Sequence, residues 1–381
     1  MTVCQPSGAE PMNIPCADII TESFSVALQV ADLADAALPS IITIEARYDG
    51  AKPPLFSFRL GDLFASLDYD FGGRGSFRRN QWRIPPFVDL NAVLTLTVAI
   101  PKGTTVHIRA FGCSSSAWRQ PWTGGVRLNA HLGFWGFAPE NTLAAATYAA
   151  ACGYPACIVV PKATKDGELV CIHDDTVNRT ARDAEGRPVD GGDLFVRDLT
   201  LAELRQWEYG SHRHPFWRGE PIPLLSDFFD LCAKTGMRPM FSTHPALTRD
   251  EWVRVRAMLE ARDLLRLFNV KSFDPGVLRL AHEVLGTDNE GYTLDVGGST
   301  DASHAIGAME SIGFDKARSR VGIELYHELM TPGRCQSIRD AGYFAAVWGL
   351  SRAPAASFRA FINMGVTEFT DDYNCSFGLD W

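Results

Sequence analysis

The sequence predicts an α/β protein: a (β/α)8 TIM barrel over residues 126–381, preceded over residues 1–120 by a small all-β domain of sandwich or jelly-roll type. Three observations carry this reading. From residue 126 onward, short apolar runs of strand length alternate with longer segments of helical period, the pattern of a parallel sheet built from β–α units. Helix-start signals stand directly behind the strand ends, where barrel helices begin. Ahead of residue 114 the period is that of strands alone, broken by turn residues.

In the N-terminal part, runs at 24–30, 41–46, 55–60, 93–100 and 105–110 alternate or are rich in β-branched residues. Asp49-Gly50, Gly72-Gly73 and Pro101-Lys102-Gly103 separate them. Strands of this kind hide their apolar faces by packing sheet on sheet. Residues 114–125 read as a linker.

In the barrel part, candidate strands fall at 127–131, 157–161, 169–173, 238–243, 267–272, 291–296, 321–325, 343–348 and 367–370, one more than a barrel needs. Only the stretch from Lys162 to Glu168 separates the second from the third. A parallel crossover takes about a dozen residues or more, so this pair reads as a hairpin and eight strands remain. Asn141 reads as the cap of a helix ending before Gly153. Thr200 with Glu203, and Thr248 with Glu251, fit capping boxes. Ser226 opens a helix that stops at Gly236, and Asp274-Pro275 is an N-cap with proline behind it.

A chain of 381 residues has room for two domains and a large core. Its net charge of -9 argues against nucleic acid, whose binders need a basic face. No run reaches the roughly 20 apolar residues of a membrane span, and residues 1–17 lack the basic start and apolar core of a signal peptide. The nine cysteines are irregularly spaced and form no CxxC pair, which suits reduced thiols in the cytoplasm. The β domain leaves a homo-oligomer open.

Barrel sites lie at the C-terminal ends of the strands. His131 ends the first strand and His173 ends the hairpin strand, so the two rings are candidates for general acid and base. Asp295 and Glu324 stand at other strand ends. They suit the carboxylate pair of a glycoside-cleaving enzyme, or a metal held together with His327 or His131. Their ordinary alternatives are a turn cap before Gly297 and a pair with an arginine. Trp135, Phe134, Trp122 and Trp348 offer aromatic faces for a sugar or glycerol, or else pack the core.

Several short motifs then occur in one order: Pro139-Glu140-Asn141-Thr142, Thr164-Lys165-Asp166-Gly167, His173-Asp174-Asp175, Arg179-Thr180, Leu199-Thr200 through Glu203-Leu204, Ile222-Pro223-Leu224-Leu225 and Ser272-Phe273-Asp274. In order and spacing they resemble the glycerophosphodiester phosphodiesterase family. The resemblance implies a TIM barrel that cleaves a small phosphodiester, with His131 and His173 as base and acid. It implies Mg²⁺ or Ca²⁺ on three carboxylates, but Ile158, Val160 and Ser242 stand at those positions. Leu132 replaces the arginine of the family's His-Arg-Gly, and His244 stands where the family has lysine.

Hard cations need oxygen ligands, so the usual metal site is not expected, and a divalent ion enters only if the site has moved. The first expectation is therefore a metal-independent phosphodiesterase, similar to the bacterial phosphatidylinositol-specific phospholipases, which use two histidines and a basic side chain. Lys162 shares a strand face with Ile158 and Val160. It brings an ammonium towards the vacated position, or is a solvated residue leading into the hairpin turn. His244 is a second candidate cation, and Trp348 a pocket wall. A binding protein for carbohydrate or phosphate without turnover is the second expectation, and a glycoside-cleaving enzyme using Asp295 and Glu324 the third.

Overall fold

The structure, a computed structural model, describes residues 23–29, 41–60, 63–67, 73–83, 93–114, 126–136, 138–151, 153–243, 247–289, 291–297, 302–350 and 356–372. The chain divides into two compact units, the larger bounded by Trp122 and Tyr373.

The smaller unit is all-β. One sheet runs β1 (Ser23–Gln29), β7 (Val93–Ala99), β3 (Leu55–Leu60), β4 (Leu63–Leu67), every pair antiparallel. The other is built on β2 (Ile41–Asp49), with β6 (Arg78–Arg83) and β8 (Thr105–Ser114) antiparallel to it and β5 (Gly73–Arg74) parallel. Alternate residues are buried in both sheets: Ile42, Ile44 and Ala46 in one, Phe56, Phe58, Leu96 and Val98 in the other. That is the one-sided burial that makes an alternating sequence a strand. The sequence Arg78 to Arg83 has no such alternation and its strand was not expected. The expected linker falls, from residue 115, outside the described residues.

The larger unit holds a closed barrel in the order β10 (Ala156–Val159), β13 (Arg238–Ser242), β14 (Asn269–Ser272), β15 (Gly291–Val296), β16 (Val321–Tyr326), β17 (Phe344–Trp348), β18 (Glu368–Asp371), β9 (Arg127–Ala130). Every pair in it is parallel. The extra candidate strand is a hairpin, as its short turn requires: β11 (Pro161–Ala163) pairs antiparallel with β12 (Leu169–Cys171). The Thr-Lys-Asp-Gly motif is that turn. Glu168 N donates to Thr164 Oγ1 at 2.8 Å, and Gly167 takes φ +85°. The expected strand 157–161 is thereby split, Val160 lying between a barrel strand and a hairpin strand. Behind the hairpin, Val170, Ile172, Val177, Val196, Leu204 and Ile222 form a satellite core.

Helices α3 (Leu225–Thr235), α4 (Arg249–Glu260), α5 (Pro275–Leu285) and the one-turn α2 (Leu201–Leu204) begin close to where the caps place them. Both capping boxes are complete, and Asp274 accepts from Gly276 N. Two expected caps are corrected. Ser226 lies inside α3, whose N-cap is Leu224. Thr142, not Asn141, accepts from Ala145 N at the head of α1 (Leu143–Ala151). Asn141 instead accepts from Val160 N at 2.8 Å and ties the first loop to the second strand. No described helix is long and apolar enough to cross a membrane.

Candidate active site

His131 leaves the end of β9 in a tight turn. Leu132 and Phe134 hold left-handed backbones (φ 50° and 88°), with Gly133 at +83° between them. A Cβ on Gly133 would lie 2.9 Å from that of Ala145, so the His-Leu-Gly turn packs glycine against α1. Leu132, at the family's arginine position, is buried. Phe134 is core, its ring tilted against that of Tyr154 at 4.7 Å, and offers no face to a ligand.

The imidazole of His131 places Nδ1 2.6 Å from Asp372 Oδ1. An ionised carboxylate only accepts, so Nδ1 carries the proton and Nε2 keeps the lone pair. Trp135 Nε1 donates to the same oxygen at 2.7 Å, and Gly136 N to the Asp372 carbonyl at 3.1 Å. Trp135 is therefore fixed as a support of this carboxylate. The guanidinium of Arg213, which donates to the Gly136 carbonyl, lies 5.7 Å from the centroid of its ring.

His173 follows the hairpin and is half-exposed. Its Nδ1 lies 2.8 Å from Asp174 Oδ1. Arg179 Nε donates to Asp174 at 2.5 Å, and its terminal nitrogens hold Glu140 bidentately at 2.8 and 2.6 Å. Burial alone would raise the Asp174 carboxyl, but Arg179 and His173 outweigh it and hold it down at about 2. The Arg-Thr and Pro-Glu-Asn-Thr motifs thus meet behind His173. The two histidines lean on different carboxylates, and each presents Nε2 as its remaining nitrogen.

Lys162 is 6% exposed, its ammonium 2.7 Å from Asp175 Oδ1, so the solvated reading of this residue is corrected. Burial lowers its pKa, opposed by Asp175. His244 lies outside the described residues. Trp348 packs against Tyr326 (4.9 Å) and Phe273 (6.1 Å) at the ends of three barrel strands.

Asp295 and Glu324 are placed otherwise than expected. Both are buried around Lys271, a residue that sequence reading passed over. Its ammonium donates to Glu324, donates to Thr370 Oγ1 at 3.1 Å and lies 3.5 Å from Asp295. Strands β14 and β18 are not neighbours in the barrel, so the bond from Lys271 to Thr370 crosses its interior. Burial drives the Asp295 carboxyl well up, opposed by Lys271, while at Glu324 burial is outweighed by Lys271, which holds that carboxyl below its ordinary value. With Lys271 bonded to Glu324 and 3.5 Å from Asp295, the two carboxyls are engaged by a buried ammonium rather than held open as a glycosidase pair. Neither an arginine partner nor a turn cap is what they have. Lys271 was legible only as a charge alternating with Asn269 in an apolar run.

The positions at which the resemblance sets metal carboxylates do not fit a cation. Ile158 is 0% exposed in an apolar cluster with Ala156 and Met240, and Val160 is buried. Among the described residues, no group of three or more His, Cys, Asp or Glu side chains is placed to hold a metal.

Fold and site together define a (β/α)8 barrel with a carboxylate-held histidine at its first strand end. Residues 131–373 match the glycerophosphoryl diester phosphodiesterase family, and the chain belongs to it. The chain is 38% identical over 102 residues to the glycerophosphodiester phosphodiesterase of Caldanaerobacter subterraneus subsp. tengcongensis, covering 27% of this chain and 38% of that protein. It is 28% identical over 170 residues to that of Bacillus altitudinis, covering 42% and 63%. The chain thus spans less than two thirds of the length of either relative. Among solved structures, an Oleispira antarctica phosphodiesterase in complex with the product sn-glycerol-3-phosphate shares the fold at 22% identity and TM-score 0.56, over 68% of this chain and 98% of that one. Glycerophosphodiester phosphodiesterase from Agrobacterium tumefaciens does so at 19% identity and TM-score 0.53, over 65% and 96%.

Proposed function

We propose that the barrel cleaves glycerophosphodiesters without a divalent metal, with His131 as general base and His173 as general acid. The observation that carries this is the bond from His131 Nδ1 to Asp372. It fixes the tautomer and leaves the lone pair on Nε2, as acid–base work requires. Nε2 accepts the proton of the attacking hydroxyl, from water or from a neighbouring hydroxyl of the substrate. A new P–O bond forms, the ester P–O bond breaks, and the imidazolium of His173 donates its proton to the departing alcohol. Asp372 and Asp174 stabilise the charged rings. Family membership supports the substrate class, and the aliphatic residues at the metal positions support the absence of a metal step.

The test is turnover of glycerophosphodiesters by the purified chain in EDTA and in added Mg²⁺ or Ca²⁺. Turnover should survive EDTA and fall about 10²–10⁴-fold in His131→Ala and in His173→Ala. Absence of turnover under every condition would sink the proposal and leave a binding protein.

A further inference from the structure

The hairpin strand bearing Lys162 walls a cavity of about 180 Å³, lined also by Asp175, Phe195, Arg197 and Leu247. Two cations of separate elements face it against one carboxylate, in a chain whose net charge is -9. Lys162 is buried, while its partner Asp175 is half-exposed and can turn to water at little cost. Arg197 has neither an ion pair nor a side-chain hydrogen bond among the described residues. Its positive charge and the burial of Lys162 both disfavour the ammonium, so a second anion would relieve both. Phe195, 42% exposed, and Leu247 give the cavity an apolar side.

The size excludes a large ligand, since drug-sized sites run to about 300–1,000 Å³. An ammonium and a forked guanidinium match the spread oxygens of a phosphate. Asp175 stands two residues from His173, so an occupant lies beside the hairpin that carries the proposed acid.

We propose that this pocket binds a compact phosphate group. On the phosphodiesterase reading, on which this second step rests, that group is a phosphate on the alcohol half of the substrate, distinct from the ester that is cleaved.

Titrating inorganic phosphate into the full chain by calorimetry decides the pocket without any turnover. Wild type should bind saturably. Lys162→Met and Arg197→Gln should each weaken binding about tenfold, the scale of one lost charge-assisted hydrogen bond. Asp175→Asn, which removes the competing carboxylate, should tighten it. Arg249→Gln makes the same charge change as Arg197→Gln on an exposed helix and should leave binding unaltered. No saturable binding by wild type, or equal binding by the Lys162 and Arg197 variants, overturns the site. Comparing kcat/KM for a diester with and without a phosphate on its alcohol half then tests the substrate assignment. The preference for the phosphorylated form should fall about tenfold in Arg197→Gln. An unchanged preference refutes that step, and a wild type that cleaves neither refutes the phosphodiesterase reading while the titration still decides the pocket.

Discussion

His131 and Asp372 are 241 residues apart in the chain and 2.6 Å apart in space. Asp372→Asn should lower diester turnover roughly 10²–10⁴-fold with the fold intact, because an amide tolerates the wrong tautomer. Steady-state rates alongside unfolding midpoints would separate chemistry from stability. His212 makes a different prediction. Burial pushes its imidazole down to about 4, from an ordinary 6.5, against the pull of Glu140. The folded chain therefore resists protonation that the unfolded chain accepts. The stability this contributes is full above pH 6.5 and is lost as pH falls from there towards 4. In His212→Gln, urea unfolding midpoints should fall less steeply across that window. A wild-type slope in the variant would overturn the assignment.

Among the elements, β14, β15, β16 and β18 each give one side chain to the buried charge cluster. Removing Lys271 leaves Glu324 charged and unpaired in the barrel, so Lys271→Met should cost about 3–5 kcal/mol by denaturant unfolding. Burial drives Asp295 up while Lys271 holds Glu324 down, so Asp295→Asn at neutral pH should cost less than Glu324→Gln. Equal losses would overturn that difference between the two carboxyls. The helix starts are simpler. Thr248 accepts from Glu251 N while Glu251 reaches back to Thr248 N, so Thr248→Ala should cost about 1 kcal/mol. These starts, and the hairpin turn at Thr164 to Gly167, were legible in the sequence because each is made by residues within four of one another. The caps misread at Asn141 and Ser226 were the ones where a residue bonded across the fold, or lay two residues past the true cap.

For the whole molecule, apolar packing at Ile158, Val160 and Met240 predicts that chelation matters little. EDTA should leave the thermal midpoint of the full chain where it was. A drop of several degrees, restored by Mg²⁺ or Ca²⁺, would show a cation site that the described residues do not reveal. Glu140 and Thr142 of the Pro-Glu-Asn-Thr motif, with Arg179, brace loops and the hairpin.

The sequence by itself determined the order of the barrel strands, the hairpin inside the barrel, the family and the two histidines at strand ends. Hydrophobic period, turn chemistry and capping act over a few residues and need no distant partner. Tertiary structure alone decided what those residues do to one another. Barrel closure brings Asp372 to His131 and Lys271 to Glu324, and the hairpin with its following turn gathers Lys162 and Arg197 around one cavity. A charge takes its state from the nearest opposite charge and from its distance to water. Both are set by which strands become neighbours, which no local pattern records.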